Sequence, residues 1–143
     1  MANQIILKGR HQRYEEAKAA GVITPGDLIM LNAAGEVLRQ SSVGGEVMLA
    51  FAEGDFLQGR TIDDNYAAGE IVRHYLPKSG DEVYAFIAVG EDVSVGERLI
   101  SAGGGSLAAA TGADTGAGTV GIAVAMEALT GHVARTRIAV RIL

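Results

Sequence analysis

Short apolar runs alternate along the chain with glycine-centred breaks at a spacing of roughly ten residues, a rhythm that predicts strands joined by tight turns. The runs are LIML (28–31), EVMLAF (46–51), EIVRHY (70–75), EVYAFIAV (82–89), RLI (98–100), VGIAVAM (120–126) and RTRIAVRIL (135–143). Most are rich in branched or aromatic residues and too short for an ordinary helix. The last is the clearest strand: Ala134, Thr136, Ile138, Val140 and Ile142 alternate with Arg135, Arg137 and Arg141. One face is expected to pack inward. The other presents three guanidinium groups, either as a solvated face or as a subunit or partner contact with carboxylates.

One short helix is expected over 14–20 (YEEAKAA), closed by Gly21 as a C-cap. The segment AVAMEAL (123–129) has helical propensity, but its TVGIAV start and flanking glycines favour a strand. Residues 102–119 hold six Gly and six Ala and predict a strand around Leu107 followed by a mobile surface loop. A faint internal repeat appears at a spacing of 70 residues. It pairs Gly26-Asp27-Leu28-Ile29-Met30 with Gly96-Glu97-Arg98-Leu99-Ile100, and Gly35-Glu36-Val37 with Gly105-Ser106-Leu107. Two pseudo-symmetric hairpins would produce it, as would the general likeness of all hairpins.

Glycine accounts for 20 of 143 residues, and eight of these are followed directly by Asp or Glu, which suits exposed tight turns. With one domain's length and 48% apolar residues, the chain can bury a core without staples, and it has no cysteine for disulfides or thiolate chemistry. No run approaches the length of a membrane span, and the N-terminus lacks the apolar stretch of a secretory signal. The expectation is a soluble protein, without membrane association, made and used in a reducing or cell-free setting.

Charge is unevenly spread: +3 over residues 1–13, −10 over 14–97 and +2 over 98–143. An acidic body between basic ends argues against nucleic-acid binding. The N-terminal segment, residues 1–13, is the part expected to meet an acidic partner. Its triplet Ile5-Ile6-Leu7 leads into Lys8, Arg10, His11 and Arg13. Such a stretch either adds to another protein's sheet edge or forms the domain's own edge strand. Residues 14–143 read as a single β-rich domain.

Catalytic motifs are weak. Gly116-Ala117-Gly118-Thr119-Val120-Gly121 fits a dinucleotide fingerprint on paper, but it leads into a strand rather than a helix. Gly104-Gly105-Ser106-Leu107-Ala108 lacks the final glycine of a nucleophile elbow. His11, His74 and His132 are isolated, and His74 sits in a strand pattern that gives it a structural role. Asp63-Asp64-Asn65 begins like a calcium loop, but Ala68 and His74 stand where that loop needs Gly and Glu, so a capped turn is expected. The reading is of a non-enzyme without cofactor or metal.

Several segments in order resemble the small capsid decoration, or cement, proteins of tailed bacteriophages. They are YEEAKAAGVITPGD (14–27), Gly35-Glu36-Val37, the stretch Asp63 to Gly69, Val95-Gly96-Glu97-Arg98-Leu99, Val120 to Ala125 and the terminal strand. The resemblance covers about residues 5–143. It implies a compact β-clip or β-tulip domain that forms homotrimers and clamps neighbouring major capsid protein subunits. The site would be the outer surface of an expanded icosahedral head, on a virion built in the host cytoplasm. It also implies a capsid-binding arm, which here maps to Asn3, Gln4, Ile5, Ile6, Leu7, Lys8, Arg10, His11 and Arg13. The alternative is a small-ligand or carbohydrate-binding β-clip domain, which the phrase Val22-Ile23-Thr24-Pro25-Gly26-Asp27-Leu28 also resembles. A hydrolase with a dispersed site has only the presence of His, Asp and Ser behind it.

Overall fold

A computed structural model describes residues 2–9, 13–110 and 120–143. Among the described residues the chain forms eleven strands and one short 3-10 turn, Phe56–Gln58. The strands are β1 (Ile6–Lys8), β2 (Tyr14–Lys18), β3 (Ile29–Leu31), β4 (Val37–Arg39), β5 (Phe51–Ala52) and β6 (Ile71–Tyr75). They continue with β7 (Glu82–Ile87), β8 (Arg98–Gly103), β9 (Ser106–Ala109), β10 (Ala123–Ala125) and β11 (Thr136–Ile142). The domain is mainly β with little helix, as the turn rhythm predicts.

The strands close into two small rings of the same topology. In the second half, β7-β11-β10-β8-β9 are neighbours in order, and a parallel contact, Ile87 opposite Leu107, joins β9 back to β7. In the first half, β2-β6-β5 form one sheet and β3-β4 a hairpin. Single bridges link them: Leu28 opposite Phe51, antiparallel, and Ala19 opposite Val37, parallel. The order β2-β6-β5-β3-β4 therefore matches β7-β11-β10-β8-β9.

The 70-residue repeat is real at the level of register. Ile29↔Arg39, Met30↔Leu38 and Leu31↔Val37 in β3–β4 correspond to Leu99↔Ala109, Ile100↔Ala108 and Ser101↔Leu107 in β8–β9. The turn before each hairpin repeats too. Asp27 N–H donates to the Thr24 carbonyl and Glu97 N–H to that of Ser94, with Gly26 and Gly96 at φ 100° and 88°. In both, the acid's carboxylate accepts from the N–H three residues back, Thr24 at 2.8 Å and Ser94 at 2.7 Å. Ala67–Glu70 and Lys78–Asp81 use the same closure. In these four of the eight Gly-acid pairs one physical cause is at work. Glycine takes the positive φ at the third position of the turn, and the acid caps an otherwise unpaired donor.

A small core fills the first ring, with Ala19, Ile23, Ile29, Val37, Ala50, Ala52, Tyr66 and Val72. A larger core fills the second ring and takes Leu28, Phe51, Ile62 and Tyr75 from the first half, which binds the two halves into one unit. Burying that shared apolar surface is the main force holding them together.

The helix expected over 14–20 is not formed: Tyr14–Lys18 is β2, paired along its length with β6, from Tyr14↔Tyr75 to Lys18↔Ile71. The alanines that suggest a helix are small for another reason. Ala19 is buried and Ala17 half-buried against the narrow first core. Seven residues give a marginal helix at best, so strand pairing prevails. The run at 46–51 keeps its alternation, with Val47 and Leu49 toward the larger core and Met48 toward the smaller, yet only Phe51 enters a strand. The segment at 123–129 opens as strand β10, and β9 lies around Leu107. The expected loop beyond Ala110, residues 111–119, lies outside the described residues, as does most of the paper dinucleotide fingerprint.

Candidate functional site

Two surfaces carry the chemistry of this molecule, and both arise from the repeat. The first is internal. The turn Thr24–Asp27 of the first half lies across the outer face of the β7–β11 pair, where Phe86 stands opposite Arg137. Arg137 Nε donates to the Pro25 carbonyl at 2.9 Å, and its other nitrogens reach the Ile62 carbonyl and the Asp63 carboxylate. Arg135 and Arg137 both stack over the Phe86 ring, at 4.1 and 4.5 Å from its centroid. Asp27 is wholly buried there, between Arg135 Nη1 at 2.5 Å and Arg39 Nε at 2.7 Å. Packed charge-assisted bonds of this kind make a rigid joint.

The second surface is the matching face of the first half, the β2–β6 pair, where Glu16 stands opposite Arg73. Its Tyr14↔Tyr75 end packs against the larger core, but among the described residues no turn like Thr24–Asp27 crosses its Glu16↔Arg73 end. Instead the 3-10 turn flanks a groove lined by Glu16, Asp55, Phe56, Leu57, Ile71 and Arg73. Phe56, Leu57 and Ile71 are 45%, 83% and 56% exposed. The Arg73 guanidinium lies over the Tyr14 ring at 4.1 Å and makes no ion pair among the described residues.

The N-terminal residues are partly absorbed into the fold. Ile6–Lys8 forms β1, an edge strand antiparallel to β7, and Ile5 and Ile6 are buried in the larger core. The Glu53 carboxylate accepts from the N–H groups of Ile5 and Ile6, at 3.0 and 3.1 Å, and locks the start of the strand. Of the two readings open in the sequence, the domain's own edge strand describes these residues, so no free arm exists over 5–8. Asn3 and Gln4 are exposed and Leu7 half-buried. Lys8 binds Glu82 at 3.3 Å and Arg13 binds Glu15 at 3.1 Å, each with an exposed side chain. Arg10 and His11 lie outside the described residues.

Arg135, Arg137 and Arg141 do meet carboxylates, all of their own chain: Asp27, Asp63 and Glu82. The inward alternation of Ile138, Val140 and Ile142 is as expected. The Arg141 bond, first, and Lys8 hold the Glu82 carboxyl below its ordinary range. Within the VITPGDL phrase offered as a ligand-binding opening, Pro25, Gly26 and Asp27 are buried in the joint, while Val22 is exposed.

His74 has the structural position its strand pattern predicts. It is buried on β6, opposite Glu15, with Nδ1 near the Val72 carbonyl and Nε2 making no hydrogen bond, 3.9 Å from Glu15 Oε2. Burial lowers its affinity for a proton. Burial likewise raises the Tyr66 hydroxyl to about 12, and that hydroxyl donates to the Glu53 carbonyl. Asp64 caps a turn by accepting from Thr61 N–H, so 63–65 is the capped turn expected. Among the described residues no three His, Asp or Glu side chains gather as metal ligands. No helix among them is long and apolar enough to cross a membrane.

The joint and the groove were both missed by sequence reasoning. The signal that would have found them is the repeat, followed from the turns into the strands. No protein-family model matches the chain, and no curated protein matches it.

Proposed function

We propose that the chain is a structural protein that works by docking to other proteins: a decoration protein that self-associates as a homotrimer and binds major capsid protein on a phage head. The observation that carries this reading is the groove on the β2–β6 face, where three large apolar side chains stay exposed together beside Arg73. Apolar groups gathered on a polar-rimmed face mark protein contact. The order of turn and strand motifs along the chain supplies the kind of assembly. Capsid attachment falls to the basic N-terminal segment, through the outer edge of β1 and the charges of Arg10 and Arg13. Each subunit needs only a weak grip, because a trimer gains by effective concentration.

Removing residues 1–13 is a poor test, because it also strips Ile5 and Ile6 from the core. The better variant is Arg10→Glu with Arg13→Glu, assayed by co-sedimentation with expanded capsids. Wild type should bind saturably and the variant at least about tenfold more weakly. A folded wild-type protein that ignores capsids would end the reading.

A further inference from the structure

The two halves share a topology, but only one of their equivalent faces carries a turn across its centre. On β7–β11 the pair Phe86↔Arg137 carries the turn Thr24–Asp27. On β2–β6 the equivalent pair Glu16↔Arg73 is open. The turns show the reverse imbalance. Pro25 and Gly26 are buried, whereas their counterparts Val95 and Gly96 are exposed, Val95 at 65%. One molecule therefore presents an uncovered face and an uncovered turn of the type that already fit each other within the chain.

We infer that the β2–β6 face docks the Ser94–Glu97 turn of a second copy, repeating between chains the joint that unites the halves. In this contact Arg73 takes the place of Arg137, donating to the Val95 carbonyl as Arg137 does to Pro25. Ile71 stands where Arg135 binds Asp27, so Arg73 is also the cation that the Glu97 carboxylate meets. Val95 enters the groove between Leu57 and Ile71. Arg98, exposed beside Glu97, faces the carboxylates of Glu16 and Asp55, so the charges are complementary. The contact is head-to-tail, each copy giving a turn and receiving one, so it must close into a ring or extend as a filament. A trimer would alternate the two kinds of half six times around its axis.

The inference deepens the self-association in the proposed function and does not depend on its capsid partner. Arg73 and Glu97 make no ion pair among the described residues, and their exchange gives up only the Arg73 stacking on Tyr14 and the Glu97 cap on Ser94 N–H, so each variant's melting is compared with wild type. Light scattering coupled to size exclusion on the full chain should show wild type as an oligomer, with Arg73→Glu and Glu97→Arg each at the mass of one chain. The double variant should recover the wild-type mass. Circular-dichroism melting checks that all four proteins are folded. A wild-type monomer, or single variants that keep their mass, would overturn the inference, and failure of the double variant to recover would overturn the Arg73–Glu97 pairing. An oligomer that ignores capsids would fail the decoration reading and leave this one standing.

Discussion

Asp27 ties the first half of the molecule to the second through one buried side chain. Its carboxylate is buried, accepts from Thr24 N–H in its own turn, and neutralises Arg39 of the first half and Arg135 from the approach to β11. The space around it is full. A methyl group on Gly105, at φ 77°, would lie 2.9 Å from Asp27 Oδ1. Asp27→Ala leaves two guanidinium groups without their anion and should cost about 3–5 kcal/mol. Chemical denaturation reads the change, and a loss under about 1 kcal/mol would show that water replaces the carboxylate. His74 makes the stability of the domain depend on pH. Burial holds its folded-state proton affinity below the ordinary 6.5, while Glu15, whose Oε2 lies 3.9 Å from Nε2, and Glu16 pull the other way without prevailing. Unfolding therefore takes up a proton at acid pH. The stability this group contributes is whole above 6.5 and is lost as pH falls through its lowered folded value. The slope for one proton is at most about 1.4 kcal/mol per pH unit. His74→Leu should flatten that part of the pH–stability curve, and an unchanged slope would assign it elsewhere.

At the scale of elements, β1 is a strand the fold uses rather than a free appendage. Val83 and Glu82 pair with it, Glu53 caps its start, and Ile5 and Ile6 are buried in the larger core. Ile5→Ala should cost about 2–4 kcal/mol, as for any large core residue cut back to Ala. Thermal unfolding measures it; a shift within error would mean the strand detaches freely. The β propensity of Ile5-Ile6-Leu7 was legible in the sequence, but its partner was not, because β7 begins some 75 residues further on. The failed helix at 14–20 has the same root. Local composition favoured a turn of helix, and the long-range ladder to β6 outweighed it.

For the whole molecule, the repeat decides the architecture. Two rings of equal topology lie side by side, the first lending Leu28, Phe51, Ile62 and Tyr75 to the core of the second. The same duplication leaves one face and one turn unmatched in each copy, and both proposals rest on what covers them. Composition and period alone determined the mainly β class, the positions of most strands, the acidic turns and the structural place of His74. These depend on neighbours within a few residues: alternation, positive φ at glycine, and a carboxylate within reach of a nearby N–H. Only the tertiary structure decided that β1 belongs to the domain's own sheet, that Arg135 and Arg137 bind carboxylates of their own chain, and that one of two equivalent faces is open. Those outcomes depend on contacts between residues far apart in the chain, such as Asp27 with Arg135, and no local pattern encodes which distant surface will arrive first.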